Sequence, residues 1–276
     1  MRKRLAALVL GLSLLLTACG TAPPAPERLP EGENTGPEVS YIPLDDRPVN
    51  ADRVVYLAES LGYRLTMPEE DLYRTRLDGQ DPNPNGTAYG DRAGLYAWLQ
   101  DREAAGCDRY ILSLDQLLSG GLVNSLSFPG ADVVLRDGTA LTEEAVLAAG
   151  LDLLADGENE VYLLDTVMRL APTVGYDGWD LAGYEALRSY GMAARPTLSG
   201  DALTVESIAA AYPLGADGTP LDPADYGVTV EAVAQYLRCR ERKLRLIDEA
   251  LRRTEGRENV HFLNGEDDSA PTDSIQ

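Results

Sequence analysis

Val39-Ser40-Tyr41-Ile42-Pro43-Leu44-Asp45-Asp46 reads as extended, mostly apolar chain that ends on two acids, and the pattern returns three more times. Tyr110-Ile111-Leu112-Ser113-Leu114 runs into Asp115, Val161-Tyr162-Leu163-Leu164 into Asp165, and Val260-His261-Phe262-Leu263-Asn264 leads to Glu266-Asp267-Asp268. Short runs rich in β-branched, aromatic and aliphatic residues fit strands buried in a sheet. In a parallel sheet every strand points the same way, so the residues that follow the strands collect along one edge. Open α/β sheets and β/α barrels place their ligands at that edge. A further strand is expected from Tyr63 to Met67, with Pro68-Glu69-Glu70 repeating the acidic ending more loosely.

Helical periodicity fills the intervals. Val54, Val55, Ala58 and Leu61 share one helical face, as do Leu95, Tyr96 and Leu99, and then Val146, Leu147, Leu151 and Leu154. Thr142, followed by Glu143 and Glu144, suits the N-cap and first turn of that third helix. The longest helix is expected from Thr229 to about Thr254, with Val230, Val233, Leu237, Leu244, Ile247 and Leu251 on the buried stripe and arginines opposite. Strand and helix in alternation predict an α/β fold with a parallel sheet flanked by helices, an open three-layer, Rossmann-like arrangement; an incomplete β/α barrel is the alternative. Between 198 and 225 the periodicity gives way to Gly, Pro and Asp, which predicts an irregular insertion in the α/β domain of residues 39–276.

The amino terminus fixes an expected compartment. Arg2-Lys3-Arg4, an apolar run from Leu5 to Leu16, and Leu16-Thr17-Ala18-Cys19 have the layout of a secretory signal over residues 1–18. The ending resembles a bacterial lipobox, which implies acylation at Cys19 and a lipid anchor on the extracytoplasmic face of a membrane. Residues 19–38, rich in Pro, Gly and Glu, then read as a disordered tether. The chain stops soon after its last strand, and the expectation is a front part of a longer protein.

Composition narrows the partners. The formal charge of −21 repels phosphate backbones, so no nucleic-acid partner is expected. A single histidine and the lack of any Cys-x-x-Cys deny the usual ligands of zinc sites and of histidine triads. No Gly-rich phosphate loop follows any strand. Asp81-Pro82-Asn83-Pro84-Asn85-Gly86 opens like a calcium loop, but Arg92 stands where a bidentate Glu is required, so it reads as a surface turn.

The candidate site therefore consists of strand ends. Asp45 and Asp46 face opposite ways in extended chain, so one can enter a cleft while the other caps the helix expected to begin near Ala51. Arg47 offers a planar fork for a carboxylate, either a neighbouring Asp or an anionic ligand, and Asn50 suits a helix N-cap or a ligand contact. Asp115 is followed by Gly120-Gly121, which permit close backbone approach or positive φ. Asp165 is followed by Arg169, a second possible anion clamp or the partner of a buried Asp–Arg bridge. Glu266, Asp267 and Asp268 form the most acidic strand end, where like charges raise one another's pKa unless a cation intervenes.

Tyr41-Ile42-Pro43-Leu44-Asp45-Asp46-Arg47-Pro48-Val49-Asn50, Ser113-Leu114-Asp115 with Gly120-Gly121-Leu122-Val123, Met168-Arg169-Leu170-Ala171-Pro172, and Gly265-Glu266-Asp267-Asp268-Ser269-Ala270-Pro271 occur in this order. Together they resemble the bacterial domain of unknown function 4127 family (DUF4127). The resemblance implies a longer protein in which the chain continues beyond the last of these motifs, and it implies no activity.

Chemistry is thus left to the residues. Two carboxylates on different strand ends are what glycoside cleavage needs, and Tyr176, Trp179 and Tyr184 offer rings against a sugar or within a core. The expectation is a carboxylate-based hydrolase acting on glycans; the alternative is a non-catalytic solute- or glycan-binding lipoprotein. A divalent cation held by the carboxylates and Asn50 for phosphoester chemistry is the third reading.

Overall fold

The computed structural model describes residues 35–266, in which the expected strand segments pair in a single parallel sheet. The strands are β1 (Glu38–Ile42), β2 (Arg64–Thr66), β3 (Arg109–Ser113), β4 (Val133–Val134), β5 (Ala140–Leu141), β6 (Glu160–Val167) and β7 (Val260–Glu266). β4 and β5 form a separate antiparallel pair; the other five lie in the order β2-β1-β3-β6-β7, all parallel. The sheet is open, with β2 and β7 at its edges, rather than closed into a barrel.

That order is the flavodoxin-like doubly wound one, and it has a functional consequence. The chain leaves β1 toward β2 on one side, then returns past β1 and adds every later strand on the other side. The carboxyl ends of β1 and β3 flank the point where direction reverses, the place at which such sheets bind ligands.

The helices are α1 (Asp52–Ser60), α2 (Glu70–Tyr73), α3 (Arg92–Ala104), α4 (Leu114–Ser119), α5 (Leu122–Ser125), α6 (Glu143–Leu153), α7 (Leu181–Met192), α8 (Val205–Ala211) and α9 (Val230–Thr254). Alternation along the strands sends Tyr110 and Leu112 of β3 and Val161 and Leu163 of β6 to one face, where they meet Leu95 and Leu99 of α3, Val146 and Leu147 of α6, and Leu246 and Ala250 of α9. α1 lies over the other face, beside Val39, Leu65, Ile111 and Tyr162. Its expected apolar face is only half covered: none of its residues is buried, and the following Leu61 is 69% exposed.

Thr142 caps α6 as its sequence predicts, its Oγ1 accepting from Ala145 N at 3.2 Å. α1 differs: its N-cap is Ala51, without a side-chain cap, and the Asn50 amide turns back into the preceding loop. The stripe that α9 buries also differs from expectation. Val233, Tyr236, Cys239, Arg240, Arg242, Lys243, Leu246 and Ala250 are buried, while Val230 and Leu251 are exposed. Three cations enter the interior because buried acceptors await them there, so apolarity alone misplaces the stripe. Residues 198–225 hold α8 and two 3-10 turns, Gly200–Ala202 and Pro223–Tyr226.

Cys107 and Cys239 are buried free thiols, and burial pushes the Cys239 pKa up to about 11, which leaves the sulfur a protonated core atom. No helix among the described residues is long and apolar enough to cross a membrane.

Candidate functional site

The strand-end acids separate into three environments. Asp45 is 2% exposed and consumed by its own turn. It accepts from Arg47 N at 3.0 Å, Arg47 Nε at 2.9 Å and Asn50 Nδ2 at 2.7 Å, while Tyr41 Oη donates to Asn50 O at 2.6 Å. Asp45, Arg47 and Asn50, expected to contact a ligand, thus first of all build the β1–α1 turn. Pro48 follows Arg47 within that turn, and its carbonyl accepts from Arg53 N.

Asp115 and Asp165 do come together, in the interior rather than in an open cleft. Asp165 shares the face of Val161 and Leu163 by strand alternation, and Asp115 is the second residue of α4, which starts directly from β3 with Ser113 as its cap. Both carboxylates accept from Lys243 Nζ of α9, with 2.7 Å to Asp115 Oδ1, and Thr166 Oγ1 donates to Asp115 Oδ2 at 2.8 Å. Burial pushes the Asp165 pKa up to about 7; Lys243 pulls it down and Asp115 pushes it further up. One ammonium neutralises one carboxylate, so a second in the same dry place holds its proton. Burial works against the Lys243 charge, and the two acids outweigh it and raise its pKa. Lys243 escaped the sequence reading because a lysine in an Arg-rich helix reads as surface; its spacing from Tyr236, Cys239, Leu246 and Ala250 was the available signal.

Asp46 alone among the described strand-end aspartates keeps a partly open carboxylate, 26% exposed. Its Oδ1 accepts from Thr75 N at 3.4 Å, and Arg74 Nε stands 3.9 Å from Oδ2. These residues line a cleft of about 400 Å³ with Arg47, Arg76, Leu77, Gln80 and Val123, contributed by the segments after β1, β2 and β3. Three arginines face it, which the sequence reading anticipated only for Arg47. Arg74 pairs with Glu70, and Arg76 Nε donates to Asn83 Oδ1 at 3.0 Å. The Nη groups of Arg76 have no hydrogen-bond partner among the described residues.

Behind Thr75 lies a knot of buried polar atoms without hydrogen-bond partners among the described residues: Thr75 Oγ1, Gln116 Oε1 and Gln116 Nε2. Two glycines make room for them. A Cβ on Gly121 would stand 3.1 Å from Thr75 Oγ1 and 3.2 Å from Gln116 Oε1, and one on Gly90 would stand 2.2 Å from Gln116 Nε2. Gly120 has φ +79 and packs its backbone on Gly90, whose N donates to Gly120 O at 2.8 Å. The Gly120-Gly121 pair therefore serves both close approach and positive φ, toward other protein groups.

Arg169 does not bridge to Asp165. Its Nε donates to Ala171 O at 3.0 Å and its Nη2 to Thr173 Oγ1 at 2.7 Å, which stitches the loop after β6. Glu266 ends β7, and Asp267, Asp268 and Cys19 lie outside the described residues. Among the described residues no group of three His, Cys, Asp or Glu side chains is placed to hold a metal ion.

Fold and cleft define the class: a doubly wound α/β protein with a polar, arginine-lined cleft at the reversal point of its sheet. Residues 39–190, just over half of the chain, match the family described as Protein of unknown function (DUF4127), and the chain belongs to that family. No curated protein and no solved structure matches it.

Proposed function

We propose that the protein is a lipid-anchored extracytoplasmic binding protein whose switch-point cleft takes a small polar ligand or glycan carrying an anionic group. The observation that carries this reading is the Arg76 guanidinium, which lines the cleft beside Arg47 and Arg74 and whose Nη groups have no hydrogen-bond partner among the described residues. A guanidinium supplies the planar pair of donors that carboxylate and phosphate groups accept. The location follows the rule for doubly wound sheets. The signal-like residues 1–18 and Cys19 support the envelope location, and the acidity of the chain disfavours nucleic acid as a partner.

Calorimetric titration with uronic-acid and phosphorylated saccharides, against their neutral counterparts, tests the proposal. The acidic ligands bind and the neutral counterparts bind more weakly at this cleft. Arg76→Met lowers the acidic affinity by about 10- to 100-fold, the loss of a hydrogen bond to a charged group. Equal binding of acidic and neutral forms, or an unaffected Arg76→Met protein, refutes it.

The hydrolytic reading needs a second accessible acid beside Asp46. Asp45 is committed to its turn and Asp115 and Asp165 to Lys243, so the remaining candidates are Glu266, Asp267 and Asp268. Release of reducing sugar by the full-length protein, abolished by Asp46→Asn with folding intact, would turn the binding protein into a hydrolase.

A further inference from the structure

One chain step from the arginine cleft lies a second hollow that the strand-end acids do not touch. Leu77 and Val123 line the cleft; the next residues, Asp78 and Asn124, line the hollow, which encloses about 300 Å³. This is the small end of the range for ligand pockets, room for one ring rather than a chain. Its walls combine the rings of Tyr89, Phe128 and Tyr176 with the Ser127 hydroxyl and the Asp177 carboxyl.

The walls are rigid. Tyr89 and Phe128 meet at a centroid distance of 5.7 Å with a 42° tilt. The Arg92 and Arg242 guanidiniums sit 5.0 Å and 5.1 Å from the Phe128 ring, and both pair with the buried Glu143. Tyr176 Oη donates to Asn124 Oδ1 at 2.8 Å. Asp78 clasps the opposite loop: its N donates to Gly175 O at 2.9 Å, and its carboxylate accepts from Asp177 N at 3.1 Å and Gly178 N at 3.0 Å.

Within this frame several polar groups are left unspent. Ser127 is 5% exposed, yet its hydroxyl has no hydrogen-bond partner among the described residues while it lines the hollow. The half-buried Tyr89 and the solvent-exposed Asp177 also line the hollow, and neither the Tyr89 hydroxyl nor the Asp177 carboxyl has a side-chain hydrogen-bond partner among the described residues. Burial and the nearby Asp78 raise the Asp177 pKa above the ordinary aspartate value.

We propose that this hollow is a saccharide subsite that takes one neutral pyranose ring, its C–H face against the aromatic wall and its hydroxyls on Ser127, Tyr89 and Asp177. A pyranose is flat and apolar on its faces and ringed by hydroxyls, which matches aromatic walls with donors and acceptors at the rim. Because the hollow adjoins the arginine cleft, the ligand that fills both is an oligosaccharide with a neutral unit next to an acidic one. The position of the acidic unit rests on the cleft reading; the neutral subsite does not.

A glycan array carrying neutral hexose and N-acetylhexosamine oligosaccharides, their uronate-containing analogues and phosphorylated forms, probed with the full chain, tests this. Wild-type protein binds neutral members, and Tyr89→Ala and Ser127→Ala each weaken that binding by about tenfold or more, the effect of losing roughly 1.4 kcal/mol. Ser127→Ala and Asp177→Asn are small changes that keep the test meaningful if Tyr89→Ala does not fold, and thermal unfolding of each variant verifies the fold. Absence of any neutral saccharide signal overturns the proposal, as does binding that survives Ser127→Ala and Asp177→Asn at full strength. Acidic members that bind without response to Arg76→Met would strike the cleft reading alone, and neutral binding lost in Ser127→Ala would still establish the hollow.

Discussion

Lys243 Nζ serves two buried carboxylates, Asp115 and Asp165, so the three side chains carry one negative charge too many unless a proton joins them. Burial and the neighbouring Asp115 raise the pKa of Asp165 to about 7 against an ordinary 3.8, so this cluster holds the extra proton well above the ordinary aspartate range. The linkage then has a definite sign. Between those two values the folded protein keeps a proton that the unfolded chain has released, so this group's stabilising contribution is complete below 3.8 and drains away as pH rises through about 7. Asparagine reproduces the neutral carboxyl and cannot ionise. Urea unfolding of Asp165→Asn beside the wild type should therefore show the variant gaining relative stability from pH 4 to pH 7, by at most about 1.4 kcal/mol per pH unit, and no further change above that range. Parallel curves for the two proteins would mean that the shared proton is elsewhere. The acids themselves were legible in the sequence as strand ends, and so was their convergence. Their burial was not, because it depends on Lys243, whose only local sign is its spacing from Tyr236, Cys239, Leu246 and Ala250 on a helix otherwise rich in surface arginines.

At the scale of elements, the segments around Gly90, Leu72, α4 and Gly120-Gly121 are packed backbone on backbone. Gly90 is the tightest point: a Cβ there would stand 2.2 Å from Gln116 Nε2 and 2.6 Å from the Leu72 carbonyl oxygen. The Gln116 side chain can yield, but the Leu72 carbonyl is held, since Asp91 N donates to it at 2.8 Å. Gly90→Ala is thus an overpacking substitution and should cost about 1–3 kcal/mol, read as a lowered urea midpoint with an unchanged slope. It should also disturb the Gln116 amide and weaken ligand binding at the cleft in the same variant; stability equal to wild type would show that α4 can slide away. Strands and long helices were readable here because periods of 2 and 3.6 are imprinted in side-chain polarity. The short elements were not: α4 follows β3 without a loop, with Ser113 as both strand end and cap, and Asn50 looked like a cap until its amide found Asp45.

For the whole molecule, the order of strands decides where the cleft sits, and that order is set by which side of the sheet each crossover takes, a choice no single segment records. Charge, in contrast, is fully legible. A formal charge of −21 surrounds a cleft lined by Arg47, Arg74 and Arg76, so the arginines stand in the field of many distant acids. Much of that field comes from exposed groups and is screened by salt, with a Debye length of ~30 Å at 0.01 M and ~3 Å at 1 M. Two effects follow, one on stability and one on association. Self-repulsion of the folded chain relaxes as salt is added, and for each ~1 kcal/mol recovered the melting temperature should rise by about 2–4 °C in a domain of this size. Screening also removes the long-range repulsion that an anionic ligand meets on approach to an acidic protein, so its association rate should increase with salt while the short-range contact with Arg76 weakens only modestly. Stopped-flow binding of a uronate-containing saccharide at 0.01 M and 0.3 M NaCl separates the two. A rate that falls with salt would mean that the arginine cleft presents a positive local field strong enough to overrule the net charge, and the surface around it would then be steering anions inward.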